Sequence, residues 1–120
     1  MRTHGDRLQI KMIETQNDVT IIELLGDLDL GTLQEAKNCI DENLKKGSRR
    51  FLIDLGLVAY IDSSGLGFLM GSLKKVREEK GELKIAKLNA YLMGIFKLLN
   101  LHEVLEVYED TESALRAFSA

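Results

Sequence analysis

An α/β domain with a mostly parallel five-stranded sheet is predicted by three features of the sequence. Short apolar runs alternate with segments of helical period, which calls for right-handed crossovers between parallel strands. The exception comes first: two apolar runs are separated only by a short turn around Asn17-Asp18 and should form a hairpin whose first strand is an antiparallel edge. No proline, internal repeat or linker-like stretch interrupts the 120 residues, so one domain is expected over 1–120, with residues 1–7 a flexible N-terminus. The predicted order is β-β-α-β-α-β-α-β-α, five strands and four helices.

Each element has its own signal. Leu8, Ile10 and Met12 alternate with polar neighbours, Val19–Leu25 supplies the second strand, and Gly26-Asp27-Leu28-Asp29 leaves it. Leu33, Ala36, Ile40 and Leu44 then recur at helical spacing, Thr32 with Glu35 matches a capping box, and Gly47 stops the helix. Arg50–Leu55 is nearly all apolar, as a strand buried on both faces should be, and Gly56 is expected to break it before Val58–Ile61. Leu66, Leu69, Met70, Leu73 and Val76 predict a helix from near Ser63 to about Lys80, with Gly81 as its stop. Leu83–Leu88 reads as the fourth strand. Asn89 caps a third helix with the stripe Leu92, Ile95, Phe96 and Leu99, closed by Asn100, which tolerates the left-handed conformation. Val104–Tyr108 is the fifth strand, and Asp110-Thr111-Glu112 opens the last helix through Ala114, Leu115 and Phe118.

Composition removes several functions. A net charge of -3 and the lack of a long basic run argue against binding nucleic acid or an anionic membrane. Lys45-Lys46 with Arg49-Arg50 reads as a solvated helix C-terminus favoured by the macrodipole. No apolar run approaches the ~20 residues that span a bilayer, and the N-terminus carries no apolar signal core, so a cytoplasmic location is expected. Cys39 has no cysteine partner and lies in a helical pattern, which makes it a packing residue; with His4 and His102 far apart, no metal site and no cofactor are expected.

Function is expected at Tyr60-Ile61-Asp62-Ser63-Ser64-Gly65-Leu66-Gly67-Phe68, between a buried strand and a long amphipathic helix. In α/β folds, sites form outside the carboxyl ends of strands. If the strands ending at Gly26-Asp27-Leu28-Asp29 and at Asp62 are neighbours, Asp27 and Asp29 lie near the serines. Asp62, Ser63 and Ser64 are good helix N-caps worth ~1 kcal/mol, which alone would explain them. A serine nucleophile finds no Gly-x-Ser-x-Gly elbow and no nearby histidine in sequence, although His102 is free to approach in space. A phosphate loop finds neither glycine motif, and Asp62 would repel a nucleotide. At ~100° per residue, Ser64, Gly67, Phe68, Gly71 and Lys75 fall opposite the apolar stripe. A Phe and two mid-helix glycines, each costing ~1 kcal/mol relative to alanine, are thus expected to face outward, either under a loop or where another protein's backbone approaches.

The residues Asp62-Ser63-Ser64-Gly65-Leu66-Gly67, after the Asp54-Leu55 strand and Gly26-Asp27-Leu28-Asp29, resemble the STAS domain, in particular the free-standing bacterial anti-sigma factor antagonists. The resemblance runs from about Leu8 to Phe118. It implies a non-catalytic, cytoplasmic switch with no catalytic residues: Ser63 is phosphorylated by a partner anti-sigma factor serine kinase and restored by a serine phosphatase. It places Asp27, Asp29 and Asp62 at the docking site, beside Ser64, Gly65, Gly67, Phe68, Gly71 and Lys75. The protein itself would be a monomer or weak dimer. The alternatives are a STAS scaffold module in a stress-signalling or transport complex, and a weak nucleotide-binding protein.

Overall fold

The computed structural model describes residues 8–118; the expected flexible stretch 1–7 lies outside them. Strands β1 (Gln9–Glu14) and β2 (Val19–Leu28) form the hairpin, pairing antiparallel from Gln9 opposite Leu25 to Glu14 opposite Thr20. Its turn is held by Thr15, whose hydroxyl donates to the Val19 carbonyl (3.0 Å) and accepts from the Val19 amide (3.1 Å). Asp18 takes the left-handed conformation (φ 60°) that a short acidic side chain tolerates.

The remaining elements are α1 (Leu33–Lys45), β3 (Arg50–Ile61), α2 (Ser63–Glu78), β4 (Glu82–Ala86), α3 (Ala90–Leu98), a 3-10 turn at Leu101–Glu103, β5 (Glu106–Tyr108) and α4 (Thr111–Ala117). The sheet order is β1-β2-β3-β4-β5. β1 is the antiparallel edge and every other pair is parallel, the mostly parallel sheet that the sequence predicts. Alternation along β3 divides its side chains between two cores. Phe51, Ile53 and Leu55 join α1, α2 and α3 on one face, whereas Leu52 packs with Ala114 and Phe118 of α4 on the other. Cys39 is buried in the larger core, and burial pushes its thiol pKa up, which makes it unreactive.

Three local expectations are corrected. Gly56 does not break β3: the strand runs unbroken to Ile61 because β2 pairs with it along nearly its full length. The irregularity falls instead on the register, which slips between Glu23 and Leu25 and again between Gly26 and Leu28. The Thr32 capping box does not form, because the Thr32 hydroxyl turns back to the preceding loop, donating to the Asp27 carbonyl (2.7 Å). At the end of α2 the left-handed residue is Lys80 (φ 63°), not Gly81. Gly81 is required for closeness: an added Cβ would run into the Arg49 carbonyl oxygen and lie 2.8 Å from Val76 Cγ1. The caps Asn89, Asp110 and the left-handed Asn100 (φ 56°) stand as predicted.

Under α4 lies a buried lysine. Lys84, 4% exposed, pairs with Glu106 and sits over the rings of Phe118 (5.1 Å) and Tyr108 (5.6 Å). The Lys84 hydrogen bond holds the Glu106 carboxyl below the ordinary value of 4.5. A carboxylate with a lowered folded-state pKa stabilises the fold fully above that ordinary value and loses its contribution as pH falls through the lowered one. Glu106→Gln is therefore expected to flatten the acid limb of the melting-temperature profile between about pH 6 and about pH 3. Parallel profiles for the variant and the wild type would contradict the pairing.

Candidate functional site: the carboxyl edge of β2 and β3

The two register slips bring Leu28 opposite Ile61, so the segments leaving β2 and β3 emerge side by side. Asp27 and Asp29, which flank Leu28, are therefore carried to the turn at Asp62, on the premise the sequence reading required. The loop after β2 is stiff. The Asp29 carbonyl accepts from Thr32 N (3.1 Å) and Leu33 N (2.9 Å), and the Asp29 carboxylate accepts from Gly31 N (2.9 Å).

Asp62 fastens this loop to α2. Its backbone is extended (φ -92°, ψ -176°), and its Oδ1 accepts from Gly65 N (2.8 Å), the side-chain N-cap of the helix. Its Oδ2 accepts from Leu30 N (3.1 Å) across the gap, and its own amide donates to the Leu28 carbonyl (3.2 Å). One carboxylate thus serves two chain segments. Gly65 lies against the Leu28 carbonyl, where an added Cβ would collide with that oxygen and sit 2.7 Å from Ile61 Cγ2.

Since Asp62 supplies the cap, neither serine is needed for it. Ser63 is exposed as the first residue of α2, and Ser64 is half-buried beside it. The one histidine among the described residues is not placed to act on Ser63. His102 lies in the 3-10 turn ahead of β5, at the amino end of the strands, with its Nδ1 3.5 Å from the Phe96 carbonyl. A nucleotide phosphate at the α2 N-terminus would meet the Asp62 carboxylate already bound there. Among the described residues no group of three or more His, Cys, Asp or Glu side chains is placed to hold a metal, and no helix is long and apolar enough to cross a membrane.

Behind the serines a groove of about 270 Å3 runs between α1 and α2. Phe68, expected to face outward, is instead 6% exposed and part of the main core. The helical wheel treated α2 as touching only the sheet; α1 lies beside it, so the buried arc is wider than one stripe. Phe68 and Leu33 of α1 form the apolar part of the groove lining. Gly67 and Gly71 are exposed as expected, and an added Cβ at either would meet nothing within 4 Å. Lys75 is tied to Asp41 of α1 (2.9 Å), both side chains being partly exposed, so the pair contributes little to stability.

Because no internal contact requires glycine at 67 or 71, Gly67→Ala and Gly71→Ala are expected to raise stability by up to ~1 kcal/mol each, measured by urea unfolding. A loss of stability in either would mean that the groove is closed. Four groove and loop residues escape the sequence reading: Leu33, Lys37, Ser72 and Leu30, the last 74% exposed on the loop that Asp62 fastens. An apolar residue inside the polar run Asp29-Leu30-Gly31 was the available signal for Leu30.

The chain is similar to known proteins over most of its length. The anti-sigma-B factor antagonist of Staphylococcus aureus is 30% identical over 82% of this chain and 91% of its own length. The crystal structure of an anti-sigma factor antagonist from Mycobacterium paratuberculosis shares the fold with a TM-score of 0.85, at 18% identity over 98% of this chain and 97% of the other. Structures of SpoIIAA, the Bacillus cell fate determinant, in unphosphorylated and phosphorylated form each match with a TM-score of 0.71, at 16% identity over 92% of this chain and 100% of theirs. The family model described as the STAS domain matches residues 11–114, and the chain belongs to the STAS domain family.

Proposed function

We propose that this protein is an anti-sigma factor antagonist: a non-enzymatic binding switch that docks a serine-kinase anti-sigma factor and thereby releases a sigma factor. Ser63 is the phosphoacceptor, a phosphatase restores the free hydroxyl, and the protein works in the cytoplasm without contacting nucleic acid or membrane. The observation that carries this reading is the division of labour at the turn. Asp62 satisfies the helix end, leaving the Ser63 hydroxyl exposed at the N-terminus of α2 without a capping role. The names of the curated relatives support the same role.

The docking surface in this reading is the carboxyl edge itself: Asp27, Asp29 and Asp62 around Ser63, with Ser64, Gly65, Gly67, Phe68, Gly71 and Lys75 behind it. Phe68 contributes from below, as the groove floor, and Gly65 by letting α2 meet the β2 carbonyl. A phosphate on Ser63 adds about -1.5 to -2 charge. It would stand next to amides at the helix start that favour an anion, so the fold tolerates it, while any partner surface desolvated there meets added charge beside Asp62.

The test is displacement. Titrating the protein into a complex of a sigma factor with its kinase-type anti-sigma factor should release free sigma factor and form an antagonist–kinase complex, resolved by size-exclusion chromatography. An undisturbed sigma complex at excess antagonist, across the anti-sigma kinases of the source organism, would overturn the proposal.

A further inference from the structure

The groove between α1 and α2 is lined by cations in a protein that is acidic overall. The protein is net acidic, with 19 Asp and Glu against 16 Lys and Arg, and its carboxyl edge presents Asp27, Asp29 and Asp62. Yet the ionisable residues lining the groove are both cations, Lys37 and Lys75. Lys75 is paired with Asp41 from outside the groove (2.9 Å), whereas among the described residues no carboxylate forms a salt bridge with Lys37. Ser72 lines the same groove and is 4% exposed. Gly67 and Gly71 complete the arrangement, since a backbone can come close over them.

We propose that this groove is a specificity subsite for a protein segment that sets one Asp or Glu carboxylate against Lys37 and the Ser72 hydroxyl, with flanking apolar side chains over Phe68 and Leu33. The proposal rests on the reading of the carboxyl edge as a docking surface and adds the chemistry of what is docked. Cationic groove and acidic edge lie side by side, so a partner must present charges of opposite order, which fixes its orientation. A wrong partner with a basic residue over Lys37 is repelled.

The test uses the full chain and a random peptide display library, so it does not depend on any kinase. Selected peptides should carry one acidic residue among apolar ones, and their synthetic versions should shift the amide resonances of Gly67, Gly71 and Ser72. Lys37→Glu should weaken them at least about tenfold and turn the selection towards basic peptides. Gly71→Leu should block them by filling the groove, without touching Lys37. A selection that enriches no peptide or only basic ones, or acidic peptides that both variants bind as tightly as the wild type, would overturn the subsite. The switch reading fails separately, if no anti-sigma kinase binds the wild-type chain.

Discussion

Ser63→Asp is expected to bind the anti-sigma kinase about ten to a hundred times more weakly than the wild type, whereas Ser63→Ala binds as the wild type does and stays bound when ATP is supplied. The size of the effect follows from where the charge falls. On the free protein, an anion at the first residue of α2 gains ~0.3 to 1 kcal/mol from the helix dipole, so the variant should melt at or slightly above the wild-type temperature. In a complex the same charge is desolvated beside the Asp62 carboxylate, where repulsion of a few kcal/mol is expected, and each ~1.4 kcal/mol is tenfold in affinity. Calorimetric titration together with a thermal melt separates the two. Equal affinity for wild type and Ser63→Asp contradicts the switch, and a large fall in melting temperature would reassign the effect to folding.

The largest stability effect is expected at Gly65→Ala. Its Cβ would collide with the Leu28 carbonyl oxygen and stand 2.7 Å from Ile61 Cγ2. The oxygen has no room to retreat, because it accepts from the Asp62 amide (3.2 Å) and Leu28 is buried at the paired end of β2. The start of α2 must therefore lift off the sheet. That breaks the contact on which both the Asp62 cap and the Leu30 bridge depend, for a cost of about 3 kcal/mol or more. Urea unfolding measures it, and a loss within about 0.5 kcal/mol, the range of an ordinary surface change, would show that α2 does not press on β2 as described. The contrast with Gly67 and Gly71, only two and six positions further along one helix, makes the comparison internally controlled.

The order of elements along the chain and the position of the turn after a strand were legible because they depend on periodicity and on which segments follow strands, both properties of consecutive residues. What was not legible depends on neighbours distant in sequence. Phe68 lies off the α2 stripe and is buried only because α1 lies alongside, so a two-faced helical wheel misplaces it. Thr32 has the residue type and spacing of a cap, but the Asp27 carbonyl competes for its hydroxyl. Gly56 looks like a strand break until continuous pairing with β2 carries β3 past it. The assignment of the cap to Asp62 rather than Ser63 needed the structure, since both are good capping residues; the bridge from Asp62 to Leu30 decides it. Lys37 was invisible for the same reason, being one lysine among many until α1 and α2 are set side by side.

The central claim is that Ser63 is the residue on which the switch turns, and one measurement addresses it most directly. Incubating the protein with a kinase-type anti-sigma factor and ATP, followed by site-resolved mass spectrometry, should place a single phosphate on Ser63, with none on Ser63→Ala. Phosphate on another residue with Ser63 unmodified, or no phosphate from any anti-sigma kinase that binds the protein, would contradict the account.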